Sequence, residues 1–391
     1  MSDAPTLRGN WNYPTQLRFG AGRIAELPEA CRLANITKPL LITDPGLAKL
    51  PIVIDAIAHN AAAGITTSLF ANIRPNPVAG NVTDGLAAYR AGNHDGIIAM
   101  GGGSALDTAK AVAFMAGQTR PLWDFEDVGD NWSRANAAGI APVIAIPTTS
   151  GTGSEVGRAS VITDEATHTK KIIFHPKMMP VCVISDPALT LGLPPHITAA
   201  TGMDALAHCL EAYCAPFYHP MADGIAVEGM RLVKNWLPTA VRDGKNLDAR
   251  AHMMAAASMG ATAFQKGLGA IHALSHPIGA IYDTHHGLTN AVVMPYVLVF
   301  NRSAIEQKLT RLAAWLELPN PSFQSVLDWV LALRVEIGIP HTLADLGVTK
   351  DRLDELSQMA ANDPTAGGNP IPIGAKECRA LFVACIDGKL G

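Results

Sequence analysis

Four short apolar runs mark the first half of the chain, and no such run follows in the second. Residues 39–43, 96–100, 142–146 and 180–184 each read as a strand, while 48–63, 80–92 and 104–116 between them carry Ala-rich helical patterns. Short strands alternating with helices predict βαβ units and a largely parallel sheet. The texture changes after Ser185-Asp186-Pro187. From Ala199 onward the sequence is rich in Ala, Leu and Met at helical period, with no convincing strand. The expected architecture is therefore an α/β domain with a largely parallel sheet over 1–190, followed by an all-helical domain over 191–391. A chain of 391 residues, 48% hydrophobic and 16% charged, can build two such cores.

The strand ends carry the first chemistry. Residues 96–100 run into Gly101-Gly102-Gly103-Ser104, with Asp107 in the helix that follows. Glycines let backbone approach an anion, and a helix N-terminus offers free N–H groups to a pyrophosphate. Ser104 and Asp107 are expected to cap that helix. The spacing is not GxGxxG, and a plain strand-to-helix turn would read the same. After the third run comes Pro147-Thr148-Thr149-Ser150-Gly151-Thr152-Gly153-Ser154, whose hydroxyls and glycines suit a loop binding phosphate and ribose. Asp44 follows the first run, where a carboxylate can hold ribose hydroxyls and repel a 2′-phosphate; a simple turn residue is the other reading.

The second half supplies a different constellation. Asp204 and His208 are four residues apart, as are His272 and His276, and His285-His286-Gly287 follows. Residues i and i+4 stack on one helix face, so a single cation can reach both. A buried carboxylate among imidazoles is costly without such a partner. Each histidine alone could be an ordinary core residue; two pairs and a His-His-Gly turn together point to a metal.

Other classes are excluded. Net charge is −4 with no long basic run, so nothing attracts nucleic acid or anionic lipid. No stretch approaches the roughly 20 apolar residues that cross a bilayer, and residues 1–6 lack the regions of a signal peptide. Six cysteines without a CxxC pair suggest a reducing, cytoplasmic setting. A homo-oligomer, most simply a dimer, and a small-molecule substrate are expected.

Together, Gly101–Lys110, Pro147–Glu155, Gly202–His208 and His272–Gly279 with His286-Gly287 resemble the iron-containing (group III) alcohol dehydrogenases, from about residue 11 to the C-terminus. The resemblance implies a dehydroquinate synthase-like two-domain architecture, residues 1–190 forming a Rossmann-like dinucleotide-binding domain and 191–391 a helical metal-binding one, with metal and nicotinamide in the cleft between the domains. It implies Asp204, His208, His272 and His286 as metal ligands and His276 beside the nicotinamide without ligating. On the cofactor side it implies contacts from Asp44, Asn76, Pro77, Gly102, Gly103, Ser104, Asp107, Thr148, Thr149, Thr152, Val161 and Lys170, the last rather than Lys171. His285 stands where many relatives have Pro, and its role is open.

One departure bears on substrate. Relatives resembling lactaldehyde reductase carry an Asn two residues before the Val161 position, where this chain has Ala159. A diol thus becomes less expected, and a less polar alcohol, or one whose anionic tail meets Arg158, more so. The expected activity is reversible hydride transfer between a small primary alcohol and NAD. A glycerol- or hydroxyacid-type dehydrogenase is the alternative, and a metallohydrolase would leave both glycine-rich loops idle. An oxygen and nitrogen donor set suits Fe²⁺, Zn²⁺ or Mn²⁺, and only the resemblance favours iron.

Overall fold

The computed structural model describes residues 9–11, 15–167 and 169–390. The chain divides into two compact units, one comprising the residues up to Thr149 with Gly153–Leu191, the other Ser150–Thr152 with Gly192 onward.

The first unit is built on β1 (Gly9–Trp11), β2 (Gln16–Phe19), β3 (Pro39–Ile42), β4 (Ser68–Phe70), β5 (Gly96–Gly101), β6 (Val143–Pro147), β7 (Ala159–Asp164), β8 (Thr169–Phe174) and β9 (Cys182–Ser185). Its helices are α1 (Leu27–Leu33), α2 (Pro51–Ala62), α3 (Ala79–Ala91) and α4 (Gly103–Met115). Seven strands form one sheet in the order β1-β2-β9-β6-β5-β3-β4. All its pairings are parallel except β1 with β2. Strands covered on both faces must be apolar along their whole length, and β3, β5, β6 and β9 are buried at every residue.

The sheet order reverses between β5 and β3. From β3 the chain steps outward to β4, then recrosses to lay β5, β6 and β9 on the other side. The carboxyl ends of β3 and β5 therefore lie side by side where the winding changes direction, with Ile42 paired to Ala99. Such a switch point is where open α/β sheets bind ligands. The sequence reading missed β1, β2, β4 and the antiparallel pair β7–β8, which registers Val161 against Ile172 and Thr163 against Lys170. Residues of β7 alternate between partly exposed and buried, so they lack the continuous apolar run that marks a central strand.

The second unit comprises α5 (Pro195–Cys214), α6 (Pro220–Arg242), α7 (Leu247–Ala263), α8 (Ala270–Tyr282), α9 (His286–Trp315), α10 (Phe323–Glu336), α11 (Leu353–Ala361) and α12 (Ala375–Asp387). Helix α5 is its axis, buried continuously from Thr198 to Cys214. An axial helix needs small residues where neighbours approach. Gly202 faces the Leu237 side chain of α6, and a Cβ at Gly287 of α9 would overlap the Ala200 carbonyl oxygen of α5. No helix among the described residues is long and apolar enough to cross a membrane.

Candidate metal centre and cofactor loops

Helix α5 presents Asp204 and His208 one turn apart, α8 presents His272 and His276, and α9 opens on His286. The three helices converge on one carboxylate oxygen. Asp204 Oδ1 stands 3.9 Å from His208 Nε2, 4.0 Å from His272 Nε2 and 3.6 Å from His286 Nε2. Those separations are too long for hydrogen bonds. They are close to what four donors adopt around one ion at about 2.0–2.2 Å each. Asp204, His208 and His272 are all buried, and their donor atoms lie within 4.8 Å of one another.

The groups behind the donors fit the same reading. Asn290, one turn along α9 from His286, directs its Nδ2 2.7 Å to Asp204 Oδ1 and lies 3.3 Å and 3.1 Å from Nε2 of His272 and His286. Its own Oδ1 is buried without a hydrogen-bond partner. One amide thus faces three acceptors that a cation would satisfy together. Burial pushes the His208 imidazolium down to about 4, against a weaker pull upward from Asp204, so His208 is neutral with a lone pair to give. Burial alone would also depress His272. There Glu211, at 2.5 Å from Nδ1, outweighs it and carries the value above the ordinary histidine range. His276 does not face the carboxylate oxygen; its Nδ1–H donates to Asp363 Oδ2 at 2.8 Å. His276 nonetheless stacks on the His286 ring, centroids 5.4 Å apart. His285 caps α9, its Nδ1 accepting from Leu288 N at 3.4 Å.

In the first unit Asp44, Gly101, Gly102, Thr148 and Thr149 lie at the carboxyl ends of β3, β5 and β6, around the sheet's switch point, while Val161 and Lys170 stand on the separate β7–β8 ribbon. Asp44 accepts from Gly46 N and Leu47 N through Oδ1, while Oδ2 lies 3.6 Å from where a Cβ on Gly101 would sit. Thr148 N donates to Gly101 O, and the Thr149 methyl stands 3.3 Å from the Cβ position of Gly102. Gly102 is the N-cap of α4 and offers no side chain to the first-turn N–H groups.

Two expectations are corrected here. Ser104 does not cap α4; its hydroxyl donates to Pro75 O, tying the 75–77 loop down beside Asn76 and Pro77. Asp107 is no cap either, because it sits in the second turn, where no backbone N–H is left over. Its carboxylate accepts from Ser154 Oγ at 2.5 Å and from Val161 N at 3.0 Å, which holds the β6–β7 loop. Lys171 is committed to Asp164 and Glu126 at 3.0 and 3.4 Å, and Lys170 projects from the opposite face of β8. Thr152 is set apart from the others. It belongs to the segment Ser150–Thr152 of the second unit, where a Cβ on Gly151 would lie 2.8 Å from Thr201 Cβ.

The comparisons give the family. The family model described as iron-containing alcohol dehydrogenase matches residues 14–187, and that for the C-terminal part of Fe-containing alcohol dehydrogenases matches 198–386. The 4-hydroxybutyrate dehydrogenase of Cupriavidus necator is 39% identical over 95% of this chain and 98% of its own length. The chain belongs to the iron-containing alcohol dehydrogenase family. A solved 1,3-propanediol oxidoreductase superposes with a TM-score of 0.90 at 35% identity, covering 95% of this chain and 97% of that one. The sulfoacetaldehyde reductase of Bifidobacterium kashiwanohense, solved in complex with NAD⁺, gives 0.86 at 27% identity, covering 98% and 99%. As a member of the family the chain is an NAD-dependent alcohol dehydrogenase.

Sequence reasoning missed three groups at this candidate site. Glu211 follows Asp204 by seven residues and His208 by three, so its place on the same face of α5 was readable. Asn290 follows His286 by four, again a readable spacing. Asp363 carries no local signal, being brought to His276 from 87 residues away.

Proposed function

We propose that this dehydrogenase interconverts a small primary alcohol and its aldehyde, with Asp204, His208, His272 and His286 holding one divalent ion. The observation that carries the reading is the convergence of three imidazole Nε2 atoms on a single oxygen of Asp204 at 3.6–4.0 Å. One carboxylate and three neutral rings leave the ion a net positive charge. Iron(II) is the assignment, with Zn²⁺ or Mn²⁺ able to take the same donors. When bound, the ion would supply a Lewis acid that eases loss of the alcohol proton, and NAD would supply the hydride acceptor.

The chain's own residues do the rest. Asp363 keeps the His276 proton on Nδ1, leaving Nε2 as the basic atom that accepts the alcohol proton and passes it to solvent. Asp44 accepts ribose hydroxyls with the oxygen its turn does not use. Gly102, Gly103 and Ser104 present the α4 N-terminus to the pyrophosphate, with Asn76, Pro77, Thr148, Thr149, Thr152, Val161 and Lys170 completing the cofactor contacts. Asp107 acts at one remove, through Val161 and Ser154. The unit boundaries, a dimeric assembly and a cytoplasmic setting complete the reading, the last supported by six cysteines that are all buried and unpaired.

A second reading, an ω-hydroxy acid, is favoured by one feature. Arg158, whose guanidinium lies over the Phe174 ring at 5.5 Å from its centroid, is a candidate for an anionic tail. Metal-loaded protein given NAD⁺ and a panel of primary alcohols, diols and hydroxy acids tests both, with NADH absorbance as readout. A His272→Ala protein with full metal content and normal turnover would refute the ligand set.

A further inference from the structure

We infer that Glu211 is a positioning residue that fixes His272 in the one tautomer able to bind metal, and that it does so from a carboxylate pinned by the N-terminus of α8. The inference rests on the metal reading above. Glu211 is 6% exposed, and both of its oxygens are used. Oε1 accepts from Ile271 N at 2.6 Å and Oε2 from His272 Nδ1 at 2.5 Å. Consecutive residues of α8 thus grip the two oxygens of one carboxylate supplied by α5.

The geometry sets a tautomer. A carboxylate can only accept, so His272 carries its proton on Nδ1 and turns the Nε2 lone pair toward Asp204. Partners of this kind fix ring orientation and basicity at many metal sites. The helix end secures the carboxylate in turn, since negative charge and acceptor atoms are both favoured there. Beside it, Asn369 Oδ1 accepts from Ala270 N at 3.1 Å and exchanges amide bonds of 2.8 Å with Asn301. Two side chains from distant segments therefore cap α8, and only one of them touches the metal-facing histidine.

That division supplies the experiment. Glu211→Gln keeps the shape but offers one oxygen and one NH₂ to two donors. If the oxygen stays on Ile271 N–H, the NH₂ must donate to Nδ1, which moves the ring proton to Nε2 and blocks the ligand position. Asn369→Ala removes a cap from the same helix end without touching His272. The readouts are Zn²⁺ affinity by chelator competition, NAD⁺ affinity by fluorescence, thermal midpoint, and the His272 tautomer by ¹⁵N NMR of metal-free protein at a pH where the ring is neutral. Glu211→Gln should lose roughly 10- to 100-fold in Zn²⁺ affinity with NAD⁺ affinity unchanged. Asn369→Ala should lower the midpoint with less than about threefold change in Zn²⁺ affinity.

Equal Zn²⁺ affinity in Glu211→Gln and wild type overturns the inference. If that variant does not fold, the wild-type spectrum decides, because a proton found on Nε2 of His272 overturns it as well. Wild type that takes up no Zn²⁺ would instead refute the metal reading itself.

Discussion

Replacing Gly287 by alanine tests whether the start of α9 must lie against α5 for the metal centre to form. In most helices this change helps, since alanine is favoured over glycine by up to about 1 kcal/mol. Here the added methyl would overlap the Ala200 carbonyl oxygen and stand 3.0 Å from the Ala200 carbonyl carbon and from Asp204 Cβ. Carbon contacts are most favourable near 3.5–4.0 Å, so α9 must retreat by roughly 0.5 Å or more from backbone that cannot rotate away. Overpacking of this kind costs about 1–3 kcal/mol. Set against the helix gain, the net loss is on the order of 1–2 kcal/mol, a fall of a few degrees in thermal midpoint. The retreat also carries His286 off Asp204, now 3.6 Å from Nε2 to Oδ1. Metal–ligand distances tolerate only about ±0.2 Å, so Zn²⁺ affinity should fall by roughly tenfold or more. Gly224→Ala is the matched control, because on α6 its methyl meets nothing within 4 Å and should stabilise slightly. Calorimetry with a chelator-competition titration reads both effects. A Gly287→Ala protein as stable as Gly224→Ala, with unchanged Zn²⁺ affinity, would refute the packing argument.

Three further outcomes follow from the site. Asp44→Gly should narrow the preference for NAD over NADP by on the order of tenfold, because one carboxylate charge facing a 2′-phosphate is removed; equal kcat/KM for both cofactors in the unaltered protein would show that Asp44 faces neither. His276→Ala should keep metal and NAD⁺ bound while slowing alcohol oxidation by roughly 100-fold. Asp363→Asn should slow it less and displace its pH profile, and loss of metal in His276→Ala would make that residue a ligand. The metal-free protein should lose stability in acid. His208 stays neutral when folded, with its value lowered from 6.5 to about 4, so the unfolded chain binds the extra proton. Stability on the order of 3 kcal/mol present at neutral pH is therefore lost as pH falls through that window. His272, whose value is raised, runs the other way, stabilising below the ordinary histidine range and ceasing to as pH rises through its folded value. It offsets part of the loss. Thermal melts of chelator-treated protein between pH 4 and 8 check this, and a flat profile refutes it.

What could be read from the sequence follows from where physical constraint is local. The runs at 39–43 and 96–100 became β3 and β5 because a strand covered on both faces has no place for polar side chains. The ribbon β7–β8 went unread because half its residues face outward and its lysines and threonines look like loop. Ser104 and Asp107 were misread as caps of α4, because what they bind lies far along the chain. Glycine at the N-cap shifts them to later positions in the helix, from which they reach the 75–77 and 154–161 segments, and no local spacing encodes those partners. Of the proposed ligands, Asp204 and His208 were legible as one i,i+4 pair, while His272 was paired by spacing with His276 and His286 came in through the resemblance. What joins them was not legible. Asp204 Oδ1 becomes common to three imidazoles only because glycine at 287 lets α9 begin against α5, and because Glu211 binds the first turn of α8 to that same helix. The i,i+4 spacing is thus written in single helices, while the register between helices is carried by the glycine of the His-His-Gly turn and by Glu211, a carboxylate outside every quoted motif. Substitutions at those two positions should therefore disable the metal centre while leaving every predicted ligand in place.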